Sequence, residues 1–129
     1  MTLVDTSVWI DVFRKREPLD LEALVDMEEV VTCLPVLQEV LQGFRDERAF
    51  RLAREAMFAL PVVDSPLPSC RFEAAVDLYR RCRSRGITVR SSIDCLIAAS
   101  AVEHDIEVLH RDRDYAHIAR ATHLRERSV

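Results

Sequence analysis

Glycine is almost missing from this chain. Only Gly43 and Gly86 occur among 129 residues. So few positions suited to left-handed backbone exclude a sandwich or barrel built on many tight turns, and no glycine-rich phosphate loop ending in lysine is present. Lysine is equally scarce, with Lys15 the only one among 18 basic residues. A phosphoaspartate receiver needs a lysine late in the chain, and nothing after Lys15 supplies it. The four cysteines, Cys33, Cys70, Cys82 and Cys95, show neither CxxC nor Cys/His ligand spacing. That excludes a zinc site or redox motif and leaves free buried thiols as the expectation. There is no GxSxG, and no Cys stands beside a His. His104, His110, His117 and His123 are scattered and read as surface or helix-end residues. The apolar runs fall far short of the ~20 residues of a membrane span. Met1 leads straight into Thr2-Leu3-Val4-Asp5, which reads as a strand and not as a leader, so a cytoplasmic protein with no membrane association is expected.

What is present is a core-forming composition, 49% hydrophobic, in a length that suits one domain over residues 1–129. The net charge of -4 is not that of a protein held on nucleic acid by charge alone. The basic residues are nonetheless almost all arginine, which grips phosphate bidentately. Arg80, Arg81, Arg83, Arg85 and Arg90 form one local block, either a solvated helix face or a phosphate-facing patch.

β-prone runs occur at residues 3–4, 30–33, 60–63 and 107–109, with a further one at 122–124. Helical stretches lie between them. One follows Asp5 with Val8, Trp9, Val12 and Phe13 on a face; a short one holds Leu21, Leu24 and Val25. Another begins at Pro35 and ends at Gly43, consistent with proline in a first turn. Residues 47–59 carry Phe50, Leu52, Ala53, Ala56 and Met57; residues 72–85 carry Phe72, Ala75, Val76 and Tyr79, stopped by Gly86. Ser91 or Ser92 caps a strongly apolar helix reaching about His104. The proline-rich residues 61–68 form a loop. Strands alternating with helices predict an α/β sandwich with a mostly parallel sheet.

In such a sheet ligands bind beyond the carboxyl ends of the strands. Asp5 directly follows the first strand, and Glu39 lies in the helix after the second. Asp94 falls in the first turn of the apolar helix; Asp112 follows the 107–109 strand, with Asp114 two residues on. Taken singly, each has an ordinary reading as a helix cap, a turn residue or a solvated acid. Together they are a liability without a cation, since two carboxylates ~4 Å apart repel by ~4 kcal/mol at an effective dielectric of ~20. An all-oxygen set lacking His or Cys points to Mg²⁺ or Mn²⁺ and suits phosphodiester hydrolysis by metal-activated water. A haloacid-dehalogenase-like phosphatase wants Asp two residues after the first, where this chain has Ser7.

Four segments carry a family resemblance. Leu3-Val4-Asp5-Thr6-Ser7-Val8-Trp9-Ile10 resembles the opening of PIN-domain ribonucleases, specifically the VapC toxins of bacterial VapBC toxin–antitoxin systems. Pro35-Val36-Leu37-Gln38-Glu39-Val40-Leu41-Gln42-Gly43 is similar to their second motif, Arg90-Ser91-Ser92-Ile93-Asp94-Cys95-Leu96-Ile97-Ala98-Ala99 to the third, and His110-Arg111-Asp112-Arg113-Asp114-Tyr115 to the fourth. The resemblance implies a three-layer α/β/α sandwich with a five-stranded parallel sheet and Mg²⁺- or Mn²⁺-dependent endoribonuclease activity. By position Asp5, Glu39, Asp94 and Asp112 are its catalytic metal-binding quartet. Asp114 matches a further acid of some members, and Thr6 is a polar support. It also implies an RNA substrate such as tRNA or rRNA, homodimers, and silencing by a VapB-type antitoxin whose arginine approaches the acids. Arg80, Arg81, Arg83 and Arg90 are then the candidates for holding RNA. Two other readings remain at this point: a PIN-like domain that binds RNA or a partner without cutting it, and a phosphatase of small phosphoesters.

Overall fold

Short runs of β-branched and leucine residues make the sheet, and helices make every crossover. The computed structural model describes all residues, Met1–Val129. In chain order the elements are β1 (Thr2–Val4), α1 (Thr6–Val12), β2 (Val30–Cys33), α2 (Leu34–Gln42), α3 (Glu47–Phe58), β3 (Val62–Val63), α4 (Ser69–Ser84), α5 (Ser92–Glu103), β4 (Glu107–His110), α6 (Arg113–Ala119) and β5 (Glu126–Ser128). Two 3-10 turns, Leu21–Ala23 and Met27–Glu29, precede β2.

The five strands run in the order β3-β2-β1-β4-β5, and every neighbouring pair is parallel. Leu3 pairs with Val31 on one side and Val108 on the other, so β1 is the central strand. From β1 the chain winds outward to β2 and β3, then returns across the sheet to β4 and β5. Right-handed crossovers in opposite directions put their helices on opposite faces. Accordingly α1, α2 and α3 pack in series, as do α4, α5 and α6. The winding reverses between β1 and β4, so their carboxyl ends part and leave the crevice where α/β folds bind ligands.

Leu3, Val4, Val108 and Leu109 are completely buried. At ~1.5–3 kcal/mol for each fully buried aliphatic side chain, this strand pair anchors the crevice. Helix α5 is buried all round from Asp94 to Ala101, as a helix apolar on every side must be. Gly86 adopts φ +73 and closes α4: its N–H bonds to the Arg83 carbonyl and that of Ile87 to Cys82. Only glycine takes that backbone without strain.

Several sequence-based expectations need correction. The fifth strand is Glu126–Ser128, not residues 122–124. Thr122 instead bonds back to the Ile118 carbonyl and accepts the Leu124 N–H, making a turn, and the polar β5 is tolerated because it is an edge strand. The third strand shrinks from residues 60–63 to Val62–Val63, and the turn at Leu21–Ala23 is 3-10. On α4 the expected stripe splits: Phe72, Val76 and Tyr79 face outward at 51%, 58% and 36% exposed, while its fourth member, Ala75, faces the core with Arg71, Leu78 and Cys82. On α3 only Ala53 and Met57 are buried. Cys33, Cys82 and Cys95 are buried thiols, but Cys70 is exposed.

Candidate active site

The crevice is furnished by residues that first serve as helix caps. Asp5 ends β1 and caps α1: its Oδ2 accepts the Ser7 N–H at 3.0 Å and the Ser7 hydroxyl at 2.5 Å. Asp112 lies two residues past β4 and caps α6 by accepting the Asp114 N–H at 3.0 Å. The Asp5 N–H bonds to the Leu109 carbonyl, and the Arg111 N–H reaches Ser7 Oγ, which ties the two caps across the switch point. Capping and a role in the site therefore coexist.

Asp94 enters from α5. Ser91 caps that helix, accepting the Asp94 N–H, which leaves the Asp94 carboxylate free to point into the crevice. Carboxylate oxygens of Asp94, Asp112 and Asp114 lie within 4.8 Å of one another. Asp94 is 7% exposed, and its Oδ2 is buried with no hydrogen-bond partner. Burial first, then the charges of Asp5 and Asp112, push its carboxyl up to about 8. A buried, unpartnered oxygen among other carboxylates is the arrangement a hard cation relieves.

Tyr115 joins Asp5 to this group. Its hydroxyl, fully buried, donates to Asp5 Oδ1 at 2.7 Å and lies 3.4 Å from Asp94 Oδ1. Burial and the adjoining carboxylates hold the phenol well above its ordinary value, so it remains a donor. His110 packs tilted against the Tyr115 ring, centroids 5.1 Å apart, and is 1% exposed, not a surface residue. Its Nδ1 accepts the Asp112 N–H, which puts the ring proton on Nε2, 2.5 Å from Glu126. Sequence reading gives Tyr115 no role and treats His110 as a surface or helix-end residue. The available signal is the spacing of Asp112 and Tyr115, three apart, which suits the first turn of a helix capped by Asp112.

Glu39 stands apart from the three clustered acids. Its Oε1 accepts the Thr6 hydroxyl at 2.9 Å, so Thr6 supports it at the rim. Asp114 is the reverse case: the acid that matches only some members of the family is 2% exposed and inside the cluster. Burial pushes Cys33, behind the crevice, up to about 12, so its thiol adds no charge.

The arginine block divides. Arg90 sits on the acids, with Nε 3.5 Å from Asp114, Nη2 3.6 Å from Asp112 and its N–H on Asp114. Arg80, Arg81 and Arg83 are exposed on α4, and Arg83 lies over the Tyr79 ring at 5.7 Å.

The PIN-domain family model matches residues 2–121. The VapC ribonuclease Mb1587 of Mycobacterium bovis and ribonuclease VapC11 of Mycobacterium tuberculosis are each 35% identical to the chain, over 99% of it and 98% of their own length. Among solved structures, VapBC-5 of Mycobacterium tuberculosis is similar with a TM-score of 0.73 and 26% identity, covering 99% of this chain and 98% of that one. The DNA-bound VapBC of Salmonella typhimurium shares the fold at a TM-score of 0.78 and 16% identity, over 98% and 96% of the two chains. With a family match over nearly its whole length and end-to-end likeness to these ribonucleases, the chain belongs to the PIN-domain family, in its VapC ribonuclease group.

Proposed function

We propose that this chain is a divalent-cation-dependent endoribonuclease and the toxin of a VapBC-type pair, acting in the cytoplasm. The observation that carries this reading is the buried, unpartnered Oδ2 of Asp94 among carboxylates. Asp5, Asp94 and Asp112, with Asp114 beside them and Glu39 at the rim, would hold Mg²⁺ or Mn²⁺. When bound, such a cation acidifies water and offsets charge that builds on a phosphate. The protein's own part is to fix those oxygens. Tyr115 orients Asp5, Thr6 orients Glu39, and His110 holds the Asp112 backbone. No serine or cysteine nucleophile is needed. RNA cleavage should appear with Mn²⁺ or Mg²⁺ and vanish with EDTA, which an electrophoretic assay on an RNA oligonucleotide reads. Cleavage that persists in EDTA would exclude the reading, and a chromogenic phosphate ester run in parallel separates a nuclease from a small-phosphoester phosphatase.

An apolar groove beside Glu39 would suit an antitoxin segment. Ile10, Phe13, Val40, Gly43 and Phe44 line a groove of about 180 Å³ that includes Glu39. Ile10 is 61% exposed there. Apolar side chains seated in this groove would bring an accompanying guanidinium to the carboxylates, where it replaces the cation's charge.

A homodimer is proposed through α4 and α5. Phe72, Val76, Tyr79 and Ile93 line an apolar groove of about 380 Å³, a patch that solvent does not favour. Val76→Asp should convert a dimer into a monomer in sedimentation velocity while the chain stays folded by circular dichroism, because Val76 is 58% exposed in the single chain. Dimers that survive the substitution at micromolar concentration would rule this face out.

A further inference from the structure

Two neighbouring clefts on the α4–α6 side are lined almost wholly by cationic or polar groups. One, of about 240 Å³, is lined by Arg81, Arg85, Arg120 and His123, with Thr122 and a single apolar residue, Ala121. The other, of about 270 Å³, shares Arg85 and Arg120 and adds His117. No carboxylate lines either cleft. Arg71, Arg90, Arg111, Arg125 and Arg127 all pair with acids, whereas Arg81, Arg85 and Arg120 pair with none. Arg85 Nη1 donates to the Arg120 carbonyl at 3.2 Å, which holds the two elements together.

This basic run is continuous with the acid cluster. His117 lies on α6 with Nδ1 3.8 Å from Asp114 Oδ1, and the same imidazole lines the cleft of Arg85 and Arg120. The path therefore leads from Asp114 through His117 to Arg85 and Arg120, then to Arg81 and His123. A cation at a helix carboxyl end complements the helix dipole, and that accounts for one arginine on each helix. It does not account for three unpaired guanidiniums converging from two helices distant in sequence.

We propose that this track holds backbone phosphates of the RNA strand beside the scissile bond, a reading that rests on the ribonuclease assignment. A polyanion fits better than a peptide, because each cleft offers only one apolar side chain, Ala121 or Ile87. Guanidinium groups bind phosphate bidentately and without regard to base identity. The sequence block is thereby sorted. Arg81 and Arg85 are four apart and share a helix face; Arg80 and Arg83 lie on another.

The test compares two triple variants with equal loss of charge: Arg81, Arg85 and Arg120→Gln on the track, and Arg45, Arg48 and Arg51→Gln, exposed positions on and before α3. Fluorescence anisotropy with a single-stranded RNA oligonucleotide in EDTA measures binding by the full chain without cleavage. The track variant should bind roughly 10-fold more weakly, and its slope of log Kd against log salt should flatten by about 2, at ~0.7 for each lost phosphate contact. The α3 variant should match the parent. With Mn²⁺ added, the track variant should show raised KM and nearly unchanged kcat. Equal losses in both variants would overturn the proposal in favour of net charge. A track variant that binds RNA normally while the parent cuts it overturns the track alone, as does one that loses only a co-expressed antitoxin. A track variant that loses RNA binding while the parent never cuts RNA keeps the track and refutes the ribonuclease reading.

Discussion

Asp94→Asn is expected to lower RNA cleavage by orders of magnitude while making the cation-free protein more stable. The substitution keeps the side-chain shape and removes the group that would carry a negative charge beside a bound cation. A cation bound there would lose a ligand, and the rate would fall with it. Stability follows from linkage. The folded carboxyl sits at about 8, above its ordinary 3.8, so the folded state holds a proton that the unfolded chain releases. That contribution is fully present below pH 3.8 and is lost as pH rises through about 8. Asparagine carries no such penalty. The stability gap between variant and parent should therefore open above about pH 4 and widen to a few kcal/mol near pH 8, each pH unit crossed counting for up to about 1.4 kcal/mol. Urea melts in EDTA at pH 4, 6 and 8 read this directly, and a gap independent of pH would show that Asp94 holds no proton. Added Mn²⁺ at ~100 times its dissociation constant should stabilise the parent by ~2.7 kcal/mol and the variant much less. An Asp94→Asn protein that cuts RNA normally would remove Asp94 from the catalytic set, leaving it a plain acid near a helix start.

The second large effect lies away from the acids. Arg71→Met should destabilise the fold by about 3–5 kcal/mol, because it strands a buried carboxylate. Asp64 follows β3 with φ 52, a backbone region uncommon for residues other than glycine. Its side chain is 7% exposed, and Oδ2 accepts Arg71 Nε at 2.7 Å and the Ser100 hydroxyl at 2.8 Å. Oδ1 meets His104 Nε2 at 2.9 Å. Burial alone would raise the Asp64 carboxyl, but the hydrogen bonds from Arg71, His104 and Ser100 outweigh it and hold the group down at about 2. Its stabilising contribution is present above pH 3.8 and is lost as pH falls through about 2. Without Arg71 the acid transition should move to higher pH. The double change Arg71→Met with Asp64→Leu should recover much of the loss, since apolar replacement of a whole buried pair is often neutral. Guanidinium melts of the parent, both single variants and the double variant give the coupling. A cost below ~1 kcal/mol for Arg71→Met would mean that water enters the pair and screens it.

What the sequence determined by itself is the local grammar. β-branched runs bounded by capping residues gave β1, β2 and most of β4; Ser91 ahead of an apolar run gave α5; Asp5 and Asp112 stood just beyond strands, Asp5 also at the head of a helix. These assignments depend on neighbours a few residues apart, and alternation of strand and helix then dictates a parallel sheet with its acids at one edge. The short helix α6 escaped because seven residues carry little propensity of their own; the burial of Asp114, Tyr115 and Ile118 against other elements makes it a helix.

What only the tertiary structure decided is which of those residues meet. The reversal of winding between β1 and β4 brings Asp5 within hydrogen-bond reach of Tyr115, 110 positions away, draws Asp114 into the cluster and leaves Glu39 at its rim. The outward stripe of α4 is a similar case, because periodicity shows that a helix has an apolar face but not whether another element of the same chain covers it. The arginines follow the same logic. A block local in sequence is divided between the faces and end of α4 and, through Arg90, the acid cluster, and Arg120 joins Arg81 and Arg85 from the end of α6. Side chains three or four apart on one helix are fixed by helical geometry; groups that converge from different elements are fixed only by strand order and crossover direction, which no local run of sequence contains.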